Sequence, residues 1–368
     1  MNRFISQKFR FYSFVCIAML LFVHGYNLNE TYLVPYSIVK ERLTFTTFIE
    51  YFLANGLLRF RIPMLFIISG YIFAMQDYKP YGERVKKRFI TLVIPYLIWS
   101  AVGLGMTFLW QQYSVTAEAV KLSQLDQLGD NRPYTEIGWL GILKRWVIYP
   151  ISFQLWFIKS LFIYNLLYPF FKWVVMKYPV IWFSLVIFLW VSLSGFVIVE
   201  GMGLFFFTLG IWLNKFNYPI DKKPEWYSRY VCWLFFIGLC VIRTFMAFEF
   251  ESYDNVYKAA MLILQALSIL AGILAVWFTC DPLVKWCMER KWFVWLTAFS
   301  FVIFALHIPL LAYVTRLLYM FTHNFQGYRL FAYLCVPPVI LVFCVAAGAL
   351  LRKLFPGVYK LATGGRGF

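Results

Sequence analysis

His24 stands near the end of an apolar run. An imidazole titrates close to neutrality, so a histidine there suits general-base work on a hydroxyl group. A histidine packed against a backbone carbonyl is the other reading of the same position. Arg59 and Arg61 come just ahead of Pro63, in a stretch that stays apolar as far as Ser69, Gly70 and Tyr71. Two guanidiniums beside a proline break can hold an anion such as a phosphate or carboxylate. Snorkelling to a membrane interface would place them there equally well. Lys86, Lys87 and Arg88 form a basic cluster before Ile94-Pro95-Tyr96. Such a cluster serves as a topology anchor or as a mouth that receives phosphates. Lys159 follows Gln154-Leu155-Trp156 inside an apolar segment, and His307 sits in Ala305-Leu306-His307-Ile308-Pro309. Ser69-Gly70 reads as close helix packing rather than as a nucleophile. The seven cysteines contain no CxxC and the three histidines no HExxH, so no disulfide framework and no metal site are expected.

The elements that position these groups follow from composition. The chain has 368 residues, of which 62% are hydrophobic, 22% aromatic and 14% charged. A soluble domain is about half apolar and a quarter charged, which leaves an integral membrane protein as the class that fits. A crossing needs about 20 mostly apolar residues to span ~30 Å of hydrocarbon. About ten segments qualify, at roughly 11–28, 57–76, 88–110, 153–171, 179–198, 201–214, 229–248, 257–279, 293–321 and 328–351. The expected fold is therefore an all-α polytopic membrane protein forming a single domain over 1–368, with no separate soluble domain and no internal repeat. The basic start (Arg3, Lys8, Arg10) followed by an apolar run resembles a signal peptide, but no small-x-small cleavage pattern follows, so a retained first helix is expected.

The net charge of +17 would suggest nucleic acid in a soluble protein, but sorting it by loop gives a different meaning. With the N-terminus inside, 21 Lys and Arg fall in inner loops, 8 in outer loops, and 5 (Arg59, Arg61, Lys159, Arg243 and Arg316) within or at the edges of spans. That bias predicts both termini on the cytoplasmic side, with the lipid bilayer and not nucleic acid as partner. An ionisable group inside a span is costly unless it faces a cavity or a partner, so Arg59, Arg61 and Lys159, together with His24 and His307, carry the functional interest. His24 lies ~20 Å along the first helix from its cytoplasmic end, past the midplane. The longest loop, 111–152, is expected outside. Within it Thr135–Tyr149 reads as an amphipathic helix, either lying at the membrane surface or forming part of a substrate-binding rim. The acidic stretch 249–255 is a weak match to the paired acidic loop of some membrane glycosyltransferases.

Taken together these segments resemble the acyltransferase-3 family of bacterial integral membrane acyltransferases, many of them carbohydrate O-acetyltransferases. The resemblance is carried by Phe22-Val23-His24, by Arg59 with Ile62-Pro63 onward to Tyr71, and by Lys87-Arg88 onward to Ser100. It continues in Leu155-Trp156-Phe157-Ile158, Phe207-Thr208-Leu209-Gly210, Phe304 to Pro309, and the terminal Leu361 to Arg366. The resemblance implies acyl transfer, acetyl in the first instance, from cytoplasmic acyl-CoA to a hydroxyl of a glycan or lipid-linked sugar. The acyl-CoA is then a donor substrate and no permanent cofactor is implied. It casts His24 as general base or acyl relay, and Arg59, Arg61, Lys87, Arg88, Lys159 and His307 as candidates for binding substrate and donor. Lys87 and Arg88 are the better candidates for the nucleotide phosphates. The family often has an arginine eleven positions before the histidine. That position is Ser13 here, and Arg10, one turn earlier, or another basic residue must supply the charge. A transporter or flippase for an anionic glycolipid would use the same intramembrane charges without chemistry.

Overall fold

The computed structural model describes residues 2–26, 34–130, 132–192, 195–196, 199–250 and 254–367. In chain order the helices are α1 (Arg3–Gly25), α2 (Phe45–Tyr51), α3 (Arg61–Met75), α4 (Tyr81–Arg88), α5 (Ile94–Trp110) and α6 (Ser114–Ser123). They continue with α7 (Trp139–Val147), α8 (Trp156–Leu166), α9 (Tyr168–Lys177), α10 (Pro179–Val191), α11 (Gly201–Lys215) and α12 (Arg229–Glu249). The last are α13 (Asn255–Thr279), α14 (Asp281–Met288), α15 (Lys291–Thr297), α16 (Ser300–Thr322), α17 (Tyr328–Leu354) and α18 (Pro356–Thr363). The strands found among the described residues are the two-residue pair Gly195–Phe196 and Val199–Glu200. The acidic stretch read over 249–255 falls in part on residues 251–253, which lie outside the described residues.

Among the described residues seven helices are long and apolar enough to cross a bilayer, and counting the bent pair α9–α10, which turns by 119°, as one span makes eight. The sequence suggested about ten, and the difference lies in 153–214. Pro169 and Pro179 enter at the starts of α9 and α10, where they are tolerated, and break the apolar run into pieces of 10 to 13 residues. A second departure is local winding: Phe52–Leu57 and Phe89–Val93 are π-helical turns, which join α2 toward α3 and α4 to α5. Such turns are rare and are often found at functional sites.

The chain folds as two compact units, Met1–Glu83 with Ile163–Val294, and Arg84–Phe162 with Trp295–Phe368. In the first, α3 and α11 pack backbone to backbone. A Cβ on Gly70 would strike the Phe207 carbonyl, and one on Gly210 would strike Ile67. The glycines are therefore required by close approach, as the Ser69-Gly70 pair suggested. Groups read as cytoplasmic gather at one end of this unit: Lys8 pairs with Asp281 at 2.6 Å and lies over the Trp277 ring, and Asp77 meets Lys172 at 2.8 Å and also Lys215.

Burial alone would raise the Asp77 carboxyl, but the two lysines hold it at about 2, below its ordinary 3.8. A depressed carboxylate stabilises the fold above its unfolded value and loses that contribution as pH falls through the folded one. Thermal scans in detergent should therefore show a stabilisation that is complete above about pH 4 and lost toward pH 2. Asp77→Asn should flatten that dependence and lower stability by about 1 kcal/mol. An unchanged acid profile in the variant would refute the assignment.

In the second unit, α7 runs beside α5. Tyr96 donates to Val147 O at 2.7 Å, Ser100 to Trp146 O at 2.6 Å, and Trp146 Nε1 to Leu97 O at 2.9 Å. The helix is Trp139–Val147, shorter than the expected Thr135–Tyr149. Its last turn meets α5 ten or more residues in from Trp110, ~15 Å along the helix axis. Opposite lies a break in α16, where Ile308 has φ −104° and ψ 131° ahead of Pro309. Irregular backbone at such depth needs internal partners. Gln154 Nε2 donates to Ala305 O at 3.0 Å and Phe304 O at 3.2 Å, and Ser152 Oγ donates to Ile308 O at 2.9 Å.

Candidate functional site

The first unit holds the main constellation. Asn2 caps the start of α1, accepting from Phe4 N at 3.0 Å, and the apolar run from Phe14 to Val23 carries the helix on to His24 and Gly25. His24 occupies its last turn and is half-buried. Two residues on, Tyr26 is within electrostatic reach of Arg59. The π-turn Phe52–Leu57 brings Asn55 between two arginines: Arg59 donates through Nη2 to Asn55 Oδ1, and Arg243 of α12 donates to the Asn55 carbonyl. Arg243 is 1% exposed and donates further to Pro35 O at 3.0 Å and Gln265 Oε1 at 3.2 Å, with the Tyr51 ring 5.9 Å away.

A half-buried guanidinium, that of Arg59, and a buried one, that of Arg243, are thus neighbours, and they donate to neutral oxygens with aromatic rings alongside. The Nε–H of Arg59 and that of Arg243 find no acceptor among the described residues. Buried donors without partners are costly, and like charges brought together favour a ligand with negative charge. The arrangement can hold an anion, or an oxygen on which negative charge develops.

The structure separates other residues that the sequence put together. Arg61 is 5% exposed, donates to Leu58 O at 2.9 Å, and has Cys16 as a neighbour. Cys16 lies two turns before His24, so Arg61 faces a lower level of α1 than Arg59 does. That level is one turn from Ser13, where the family's arginine is missing. Arg10 donates to Val294 O at 2.9 Å, and it lies ~21 Å along α1 from His24 at 1.5 Å per residue.

In the second unit, Lys87 is exposed and Arg88 half-buried at the end of α4. Arg84 is 7% exposed and is an electrostatic neighbour of Arg88, which in turn neighbours Arg366. Gly364, with φ +60°, turns the chain tightly after α18, and a Cβ there would meet Thr91 O at 2.6 Å. This seats Arg366, which donates to Thr91 O at 2.8 Å and lies 4.7 Å from the Phe301 ring. Burial, and then the charge of Arg88, bring the Arg366 guanidinium down to about 10, so it stays charged at neutral pH. The end of this unit therefore carries a cluster of cations closed by the C-terminal turn.

Lys159 is half-buried, donates to Ile148 O at 2.8 Å and lies 5.8 Å from the Tyr96 ring. It secures the segment between α7 and α8. His307 is fully buried, its Nδ1 2.9 Å from Ile303 O one turn earlier, as in a packed histidine beside a helix break. Arg243, Asn55 and Arg366 were not singled out as site residues from the sequence. Arg243 carried a signal, an arginine within an apolar span. Asn55 had only the weak one of a polar residue in such a run, and Arg366 depends on a turn that brings distant residues together.

The acyltransferase-3 family model, described as an acyltransferase domain, matches residues 7–351. The chain belongs to this family. The match takes in His24, Asn55, Arg59 and Arg243 and ends before the turn that bears Arg366. A curated relative, the succinoglycan biosynthesis protein ExoH of Rhizobium meliloti (strain 1021), is 25% identical over 375 residues, covering 100% of this chain and 94% of that protein. No solved structure matches. As an acyltransferase-3 protein, the chain is a multi-pass membrane acyltransferase.

Proposed function

We propose that this acyltransferase moves an acyl group, acetyl in our reading, from cytoplasmic acyl-CoA to a hydroxyl of a cell-surface glycan or lipid-linked sugar at the bacterial inner membrane. The observation that carries it is the pair of neighbouring arginines, half-buried Arg59 and buried Arg243, at Asn55 beside the end of the helix that bears His24. Family membership supplies the class of reaction, and a relative named for polysaccharide biosynthesis supports a glycan acceptor. His24 takes the proton from the acceptor hydroxyl as its oxygen attacks the thioester carbonyl. The carbonyl oxygen gains negative charge, which Arg59 and Arg243 stabilise with donors already in place. Collapse re-forms the carbonyl, breaks the carbon–sulfur bond, and releases CoA, which takes up the proton. Comparing surface polysaccharide by mass spectrometry with and without the protein tests this. One acyl mass per modified unit should be lost without it, and identical spectra would refute the reading.

The cation cluster of Arg84, Arg88 and Arg366, with Lys87 at its edge, suits the phosphates of the nucleotide. Arg366→Ala and Arg88→Ala should each raise the KM for acyl-CoA about tenfold, equivalent to about 1.4 kcal/mol, with kcat little changed. A fall in kcat at unchanged KM would contradict that role.

A further inference from the structure

The second unit contains a cavity of about 190 Å³ between α5, α6, the loop after α6 and the C-terminal half of α16. At ~30 Å³ per water this is the room of about six water molecules, enough for one sugar ring. Its wall combines two tyrosines, Tyr134 and Tyr313, with the amide of Gln111 and the carboxylates of Glu118, Asp126 and Asp130. We propose that this cavity seats one neutral pyranose ring of the acceptor glycan, an assignment that rests on the reading of the protein as a glycan acyltransferase.

The wall is braced. The Thr107 and Tyr313 hydroxyls are 2.8 Å apart, and Tyr313 packs against Trp110 with ring centroids at 5.3 Å. Gln111 Oε1 accepts from Tyr134 N at 3.0 Å, which fixes the amide plane. Arg145 of α7, 1% exposed, donates to Asp126 at 2.5 Å and 2.9 Å and lies 3.8 Å from Asp130, so the loop is tied to a helix that itself packs on α5. A preformed site with a few placed polar groups is what a small ligand requires.

The charges select the ligand. Hydrogen bonds from Arg132 hold the Asp130 carboxyl down at about 2, so it is an acceptor throughout the working range. Asp126 and Asp130 are paired with Arg145 and Arg132, and Lys121 joins Glu118 on the wall, so the site carries little net charge and suits a neutral ligand. A sugar ring offers hydroxyl donors to the carboxylate oxygens and to Gln111, and apolar C–H faces to the tyrosine rings. Glu118 makes no ion pair among the described residues and is half-buried at the wall. Its oxygens are therefore available to a ligand.

The test uses full-length protein in lipid nanodiscs, with methyl β-D-glucopyranoside and methyl β-D-galactopyranoside as probes in saturation-transfer NMR. At least one glycoside should receive transfer at its ring protons from the wild type. Glu118→Ala and Gln111→Ala, both on the cavity wall and outside the catalytic cluster, should weaken binding about tenfold, or about 1.4 kcal/mol each. In acyl-transfer assays the same variants should raise the acceptor KM by a similar factor and leave the acyl-CoA KM unchanged. Binding of neither glycoside, equal binding by the variants, or binding of inorganic phosphate or glucosamine alone would overturn the proposal. Glycoside binding that the variants weaken, with no acyl transfer under any condition, would instead refute the acyltransferase reaction while the cavity remained a sugar site.

Discussion

His24→Ala should lower acyl transfer by about 10²- to 10⁴-fold, the usual contribution of a general base, while the protein inserts and accumulates as the wild type does. The reason is its setting. His24 is half-buried in the last turn of α1, not enclosed, and Tyr26 just beyond it neighbours Arg59. His307 gives the contrast: it has no exposure, and its Nδ1 lies 2.9 Å from a carbonyl one turn back. His307→Asn should therefore act through stability. Alanine at this position keeps α1 helical, since alanine is the best helix former. Transfer rates on purified protein, normalised to folded protein by size-exclusion chromatography, decide the point. A His24→Ala enzyme with wild-type turnover would remove it from the reaction.

The second large effect concerns Arg59. If its guanidinium faces the oxygen on which charge develops, Arg59→Ala should cost about 10²–10³ in kcat, as loss of one oxyanion donor does elsewhere. Arg59→Lys keeps the charge and gives up the planar fork, so it should recover only part of that loss. Arg243 provides the contrast. It ties Asn55, Pro35 and Gln265 together from a fully buried position, so Arg243→Met would leave three oxygens without their donor. Each unsatisfied buried group costs about 1–3 kcal/mol, and thermal stability should fall along with turnover. Asn55→Ala should resemble Arg59→Lys if Asn55 acts as a positioning residue: kcat falls, KM for acyl-CoA holds, and Tm changes little. A fall in Tm for Arg59→Ala as large as for Arg243→Met would make both arginines structural.

Much of the architecture was legible because membrane helices write themselves in composition. The seven long helices lie where apolar runs of the right length predicted them, because the backbone in lipid has few alternatives. The region 153–214 was less legible. Counting apolar residues cannot tell one crossing from two half-length helices meeting at a proline, as Pro179 makes α9 and α10 do. The charges behaved similarly. Two residues apart in sequence, Arg59 and Arg61 read as one anion site, yet the π-turn and the start of α3 send them to different levels of α1. Arg59's true neighbour, Arg243, lies on α12, and no spacing rule links two residues so far apart in sequence. The cation cluster has the same origin: Lys87 and Arg88 were visible as a run, whereas Arg366 joins them only because Gly364 can adopt a positive φ against Thr91.

The central claim, that a histidine at the end of the first helix drives acyl transfer, is tested most directly by one assay. Purified protein in proteoliposomes is given radiolabelled acetyl-CoA and the organism's own glycan fraction, and label in carbohydrate is followed with wild type and with His24→Ala. Label should enter the carbohydrate with the wild type and be almost absent with the variant. Equal labelling by both, or label that stays on CoA while glycolipid crosses the bilayer, would contradict it.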